Sequence, residues 1–176
     1  MKINIDDISE HGLSVDISEE GRDIEALAGG KLEFSFITPV AAHLDFVRTD
    51  GNIHVTGEIK GKIRLNCSRC LKEFDHELNI NFTDFFVRGK EEGGEKELKD
   101  ADLDVSYLEG PELDSTAMLL GQISLEVPIK PLCREDCKGL CSKCGADLNS
   151  GECGCDKDEK TDTRFAKLKD LKINKP

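Results

Sequence analysis

Eight cysteines fall into two groups, and any fold for this chain must account for where they meet. The first group is a lone C-x-x-C, Cys67-Ser68-Arg69-Cys70. The second packs Cys133, Cys137, Cys141, Cys144, Cys153 and Cys155 into one short stretch. The start, Met1-Lys2-Ile3-Asn4-Ile5-Asp6, has no apolar stretch of the signal-peptide kind. No run approaches the roughly 20 apolar residues of a membrane span. A cytoplasmic location is therefore expected, where thiols stay reduced and clustered cysteines usually mean metal. Eight thiols are what two tetrahedral zinc sites need.

The 176 residues suit one domain, or one domain with a small appendage. The formal net charge is -12 with every cysteine counted neutral. Two zinc ions, each held by four thiolates, would take the chain to about -16. Such a surface repels nucleic acid at long range and suits a basic partner.

From Asn52 to Leu65 the alternation is nearly unbroken. Ile53, Val55, Ile59, Ile63 and Leu65 share one phase with Gly57 and Gly61, and polar residues take the other. This is the period of a half-buried antiparallel strand, and the glycines suggest a bend or bulge. Phe74, Leu78, Ile80, Phe82 and Phe86 mark a second such strand, and residues 40–48 a third. Thr49-Asp50-Gly51-Asn52 reads as a hairpin turn. Residues 40–87 are thus a three-strand meander, with Cys67 and Cys70 at its second turn.

Residues 2–8, 13–17 and 32–37 read as short strands. From Gly89 to Asp114, ten acidic residues face three lysines, which predicts a solvated acidic loop. Pro111-Glu112-Leu113 reads as the opening of a helix carrying Ala117, Leu120 and Ile123, ended by Pro128. Thr161 or Asp162 is placed to cap a last helix with Phe165, Leu168 and Leu171. From Lys157 onward seven basic residues face four acidic ones. The expected fold is an α+β, antiparallel β-rich domain with a long-stranded meander, one or two helices and a C-terminal cysteine-rich zinc module. Its expected parts are a β-rich domain over 1–130 with an acidic loop over 89–110, a zinc-binding module over 131–156, and a basic tail or helix over 157–176.

Two cysteines separated by two residues grip one zinc from a tight turn. Cys141-Ser142-Lys143-Cys144-Gly145 has this form, and its glycine lets backbone N–H groups turn toward sulfur. Cys153 and Cys155 are its simplest partners. Cys67, Cys70, Cys133 and Cys137 then form the other site, tying the meander to the chain after the helix. The alternative gives Cys133 or Cys137 to the second site. His54 and His76 are possible substitutes, but each lies within a strand, where a histidine is ordinary surface. Four-thiolate sites leave no position for catalytic water, so a structural role is expected; such sites accept iron as well as zinc. The competing redox reading takes Cys67-Ser68-Arg69-Cys70 as a dithiol with a thiolate stabilised by Arg69. In thioredoxin-like folds that motif opens a helix, whereas here strands flank it. No nucleophile with a partner base and no glycine-rich phosphate loop stands out, so no enzymatic activity is expected.

Asn66-Cys67-Ser68-Arg69-Cys70-Leu71 after a long alternating strand resembles the C-x-R-C signature of the YceD-like family, also described as large ribosomal RNA subunit accumulation proteins or as a domain of unknown function. The resemblance continues through residues 113–128, a helix ending in proline, through Pro131-Leu132-Cys133-Arg134-Glu135-Asp136-Cys137 and on to Asn149. It closes on Asp162-Thr163-Arg164-Phe165-Ala166-Lys167-Leu168. Some members lack the second cysteine set, which agrees with the partition above. The resemblance implies a non-enzymatic, bacterial ribosome biogenesis factor that supports accumulation of large-subunit (23S) ribosomal RNA. A basic ribosomal protein or a large-subunit precursor is the expected partner. The alternatives are a thiol redox or zinc-handling protein, or direct RNA binding through Arg134, Lys138, Lys143, Lys167, Lys169 and Lys172.

Overall fold

The computed structural model describes residues 1–9, 11–30, 32–89 and 105–155. It divides into two compact units between Cys137 and Lys138. The expected tail over 157–176, with Lys167, Lys169 and Lys172, lies outside the described residues, as does most of the expected acidic loop.

The first unit is built on the predicted meander: β4 (Val40–Thr49), β5 (Asn52–Asn66) and β6 (Glu73–Arg88). The β4–β5 turn places both central residues at positive φ, Asp50 at 52° and Gly51 at 85°. That left-handed pair matches the right-handed twist of the strands it joins, as in a type I′ hairpin. Around the meander lie β2 (Leu13–Glu19), paired antiparallel with β4, and β7 (Val105–Leu108), paired parallel with β6. Strand β3 (Ser35–Phe36) continues the line of β4 along β5. The two are interrupted at Pro39, which has no N–H for the ladder, and Thr38 Oγ1 accepts the Lys62 N–H there at 3.0 Å. The sheet order is β2-β4-β5-β6-β7, mostly antiparallel.

The inner face carries the residues that the alternation marked. Ile53, Val55, Ile59, Ile63 and Leu65 are all buried, as are Leu44 and Phe46 of β4 and Leu78 and Ile80 of β6. Each such side chain contributes roughly 1.5–3 kcal/mol by leaving water. Two helices join this core: α1 (Gly21–Leu27) through Ile24, and α2 (Ser115–Glu126) through Met118, Leu119 and Ile123. A separate pair, β1 (Lys2–Asn4) with β8 (Glu112–Asp114), leads into α2. Among the described residues no helix is long and apolar enough to cross a membrane.

Several expectations are corrected. Helix α1 lies between the expected strands over 13–17 and 32–37, where no element was expected. Residues 5–7 form a 3-10 turn, and only residues 2–4 of the expected first strand are extended. Of 32–37 only Ser35–Phe36 pairs. Residues 105–108 of the expected acidic loop are strand β7. Pro111 does not open the helix: Glu112–Asp114 pairs with β1, and Asp114 is the cap, its Oδ1 accepting the N–H groups of Thr116 and Ala117 at 3.0 and 3.4 Å.

The bulge suggested by Gly57 and Gly61 is absent, because β5 pairs with β6 in unbroken register from Ile53↔Phe86 to Asn66↔Glu73. Gly57 instead makes room: a Cβ there would lie 2.5 Å from the Phe82 ring and 2.7 Å from Leu44. At Gly61 the nearest atoms would stand at an ordinary 3.7 Å. Gly57→Ala is therefore expected to cost about 1–3 kcal/mol through overpacking. Gly61→Ala should be neutral or stabilise by about 0.4–1 kcal/mol. Paired denaturant melts check both.

Candidate metal centres

The β5–β6 ladder ends at Asn66↔Glu73, and the six residues between form a tight knuckle. The Cys67 N–H donates to the Lys72 carbonyl at 2.9 Å, and the Leu71 N–H returns to the Cys67 carbonyl at 2.9 Å. Closing so short a loop puts Leu71 at φ 59°, an uncommon conformation for a branched side chain. Cys67 and Cys70 thereby point the same way. The second half comes from the chain after α2. The Ser68 N–H donates to the Pro131 carbonyl at 2.8 Å, and the Cys137 N–H to the Arg134 carbonyl at 3.1 Å.

These two halves bring Cys67, Cys70, Cys133 and Cys137 together, all four sulfurs within 4.8 Å of one another. Cys67 Sγ lies 3.8 Å from Cys137 Sγ, and Cys70 Sγ lies 3.7 Å from Cys133 Sγ. A tetrahedron with metal–sulfur bonds of about 2.3 Å has edges of about 3.8 Å. A disulfide would need about 2.05 Å. The donor set and its spacing fit a four-thiolate metal. Cys67, Cys70 and Cys137 are buried, and Cys133 is partly so.

Electrostatics point the same way. Burial pushes the Cys67 thiol up, but N–H groups of Cys133, Cys70 and Arg69 outweigh it and hold the thiol at about 6. Burial and the neighbouring Cys67, Cys70 and Cys137 push Cys133 to about 12. Cys70 is drawn down by the Lys72 N–H and by Cys133, yet burial and the neighbouring Cys67 and Cys137 carry it upward. Cys67 forms a thiolate readily while Cys70 and Cys133 resist, because crowded anions repel. A cation at the centre removes that resistance.

Sequence reading weighed Arg69 only as a thiolate stabiliser. In the structure its Nη1 donates to the carbonyls of Glu135 at 3.2 Å and Cys137 at 2.8 Å. Arg69 is thus a clip that holds the 133–137 turn against the knuckle.

In the second unit Cys141, Cys144, Cys153 and Cys155 meet in the same way, within 4.8 Å. The Gly145 N–H donates to the Cys141 carbonyl at 2.8 Å, and the Lys143 N–H to Cys141 Sγ at 3.4 Å. Gly145 has φ 74° and Gly154, between the last two cysteines, φ 67°, conformations that glycine adopts freely. An Asp147 turn supports the knuckle: Asp147 Oδ1 accepts the Asn149 N–H at 2.9 Å, and Asn149 Oδ1 accepts the Lys138 N–H at 2.8 Å. N–H groups of Cys144 and Lys143 draw Cys141 to about 6, while Cys144 and Cys153 push Cys155 to about 12. This cluster is more open, with Cys144 exposed.

His54 and His76 join neither cluster. His54 rests edge-on against Phe85, ring centroids 4.1 Å apart, and His76 Nε2 is buried without a hydrogen-bond partner among the described residues. Of the basic residues considered for RNA, Arg134 pairs with Asp136 at 3.3 Å, and Lys138 and Lys143 belong to the second unit.

Elemental analysis of chain purified without added metal should find about two ions, falling to about one in Cys67→Ser. Arg69→Gln should speed metal transfer from the first centre to a chelator by about 10–100-fold, as loss of an outer support typically does. Alkylation of Cys133 and Cys137 by mass spectrometry would follow it. Protons compete with metal for the thiolates, so lowering the pH must weaken binding. A colorimetric metal indicator should show retention at neutral pH and release on acidification.

The family described as large ribosomal RNA subunit accumulation protein YceD matches residues 55–172. The chain is 28% identical over 173 residues to the chloroplastic YCED homolog 1 of Arabidopsis thaliana, covering 84% of this chain and 54% of that protein. It is 29% identical over 157 residues to the same-named protein of Zea mays, covering 73% and 54%. An uncharacterized protein of Mycobacterium tuberculosis is 31% identical over 117 residues, covering 66% and 54%. The chain thus spans about half the length of the curated relatives it matches. No solved structure matches it. The matched stretch begins within β5 and takes in the knuckle, α2 and all eight clustered cysteines, and the chain belongs to the YceD family.

Proposed function

We propose that this chain is a non-enzymatic ribosome biogenesis factor that supports accumulation of large-subunit ribosomal RNA, and that both cysteine clusters hold zinc as a structural metal. The observation that carries this reading is the family match over residues 55–172, which spans both clusters. The plant relatives are named for the same process. Four-thiolate sites offer no open coordination position for a water nucleophile, which favours scaffolding over hydrolysis. What the zinc supplies is cross-linking: Cys67, Cys70, Cys133 and Cys137 would hold one ion, and Cys141, Cys144, Cys153 and Cys155 the other.

The net charge of -12 favours contact through a basic ribosomal protein over contact with bare RNA. Depletion of the chain should lower large-subunit relative to small-subunit ribosomal RNA. A tagged chain should co-sediment with large-subunit precursors, and Cys67→Ser or Cys133→Ser should abolish this. Absence of co-sedimentation in the unaltered chain would remove the assembly role. If binding to purified large-subunit RNA proved direct and fell steeply with salt, the RNA-binding reading through Arg134, Lys138, Lys143 and the 167–172 lysines would replace it.

A further inference from the structure

Among the described residues, strand β6 is used on one side only for most of its length. It pairs with β5 from Glu73 to Phe86, while on its other border β7 takes only Phe85–Arg88. Between Glu73 and Asp84 no backbone hydrogen bond reaches that outer border among the described residues. An edge of this length is unusual, since strands typically run to about 5–6 residues and long open edges template pairing with other chains.

The side chains along this border have two characters. On the solvent face, Glu73, Asp75 and Glu77 are exposed carboxylates. On the β5 side Arg64 holds Asp75 at 3.0 Å and Lys62 holds Glu77 at 3.4 Å. Their opposite flank would face an added strand. On the core face Phe74, His76 and Phe82 are only half-buried, although they share the phase of the buried Leu78 and Ile80. Near its far end the border is closed: β7 begins at the level of Phe85, and α2 reaches Asp84 through Gln122 Nε2 at 3.0 Å.

We propose that the border of β6 from Glu73 to Thr83 is a docking site for an extended segment of a partner protein whose residues alternate basic and apolar. Backbone pairing would supply the affinity. Basic side chains would extend the ladder of Arg64–Asp75 and Lys62–Glu77 by one more strand, with opposite charges as cross-strand neighbours. Apolar side chains would cover the open flanks of Phe74 and Phe82. A second copy of this chain is the wrong occupant, because it offers no lysine or arginine along this border: Glu73, Asp75 and Glu77 would meet one another or Asn79, Asn81 and Thr83. That the partner is a ribosomal protein rests on the assembly role proposed above; the docking border itself does not.

The test is residue-resolved amide exchange on the full, metal-loaded chain, alone and with a capped peptide of alternating lysine and valine. In the free chain every second amide from Phe74 to Thr83 should exchange about tenfold or more faster than its neighbours. The lysine–valine peptide should slow that set about tenfold. A glutamate–valine peptide, or one N-methylated on its pairing edge, should not. Uniformly slow exchange in the free chain would show the border already covered and overturn the proposal, as would protection falling on β2 instead. The variant Glu73→Lys/Asp75→Lys/Glu77→Lys should lose the peptide effect. If it fails to fold, Glu73→Lys alone leaves both ion pairs in place and should weaken the effect, and an unchanged effect overturns charge recognition. Co-sedimentation separates the two readings. If the unaltered chain does not co-sediment, the assembly role fails while peptide protection stands or falls separately. If it does and the charge-reversed variant does equally, the docking border alone fails.

Discussion

The meeting of Cys67 and Cys70 with Cys133 and Cys137 is the constraint on which the rest of the first unit depends. The paired sulfurs come from positions 70 and 63 residues apart in the chain. Closing a loop of that size costs chain entropy that no single pair of contacts offsets. Two parts of the fold make the closure inexpensive. The β5–β6 hairpin, in register over its full length, delivers the knuckle as a rigid end. Helix α2, seated by Met118, Leu119 and Ile123, returns the chain so that Pro131 meets Ser68. A metal would then fasten what the core has already brought close, and Arg69 secures the last turn from outside the sulfur set.

Sheet and centre also support each other. Leu65 is buried two residues before Cys67, which is itself fully buried, so the hydrophobic face of β5 runs without a break into the sulfur cluster. Desolvation there makes lone thiolates costly and a neutralising cation effective. The same burial keeps water from the sulfurs, and a four-thiolate metal there would have no open coordination position.

Much of this was legible from the residues, and the reasons for the rest are specific. Strands β4, β5 and β6 announced themselves because they are long and one face is buried, so that period 2 persists for many residues. The cysteine grouping was legible in part: Cys153 and Cys155 are the simplest local partners for Cys141 and Cys144, although spacing alone also allowed Cys133 or Cys137 there, and the fold decides by bringing those two to Cys67 and Cys70. Strands β7 and β8 were not legible: with four and three residues they are too short for a period, and the partner strand decides them. Asp114 was outweighed by Pro111 as a helix start, although Asp114-Ser115-Thr116 carries the stronger capping chemistry. Helix α1 is seven residues long and starts at a glycine. Glu20 makes no side-chain cap there, and helix formers such as Glu25 and Ala26 do not sustain so short a span alone; Ile24, wholly buried in the core, holds it in place. Arg69 was noticed for its charge, but its role depends on carbonyls 66 and 68 residues away, which no local pattern exposes.

The two centres share a donor set and differ in what surrounds it. The first stands at the end of a core that folds through apolar burial on its own account. Among its described residues the second unit has little apolar material to bury: Leu140 and Leu148 are only partly covered, and its support is a set of turns around Asp147 and Asn149. In such a unit the metal–sulfur bonds supply most of the free energy that orders the chain, as in small zinc modules that unfold without metal. Chelation should therefore melt the second unit outright while the sheet of the first remains folded and loses chiefly the fastening of residues 131–137. The openness of Cys144 acts in the same direction, because a chelator or an oxidant reaches an exposed sulfur first. Identical chemistry thus serves as reinforcement in one place and as foundation in the other, and the amount of apolar surface around each set of sulfurs decides which.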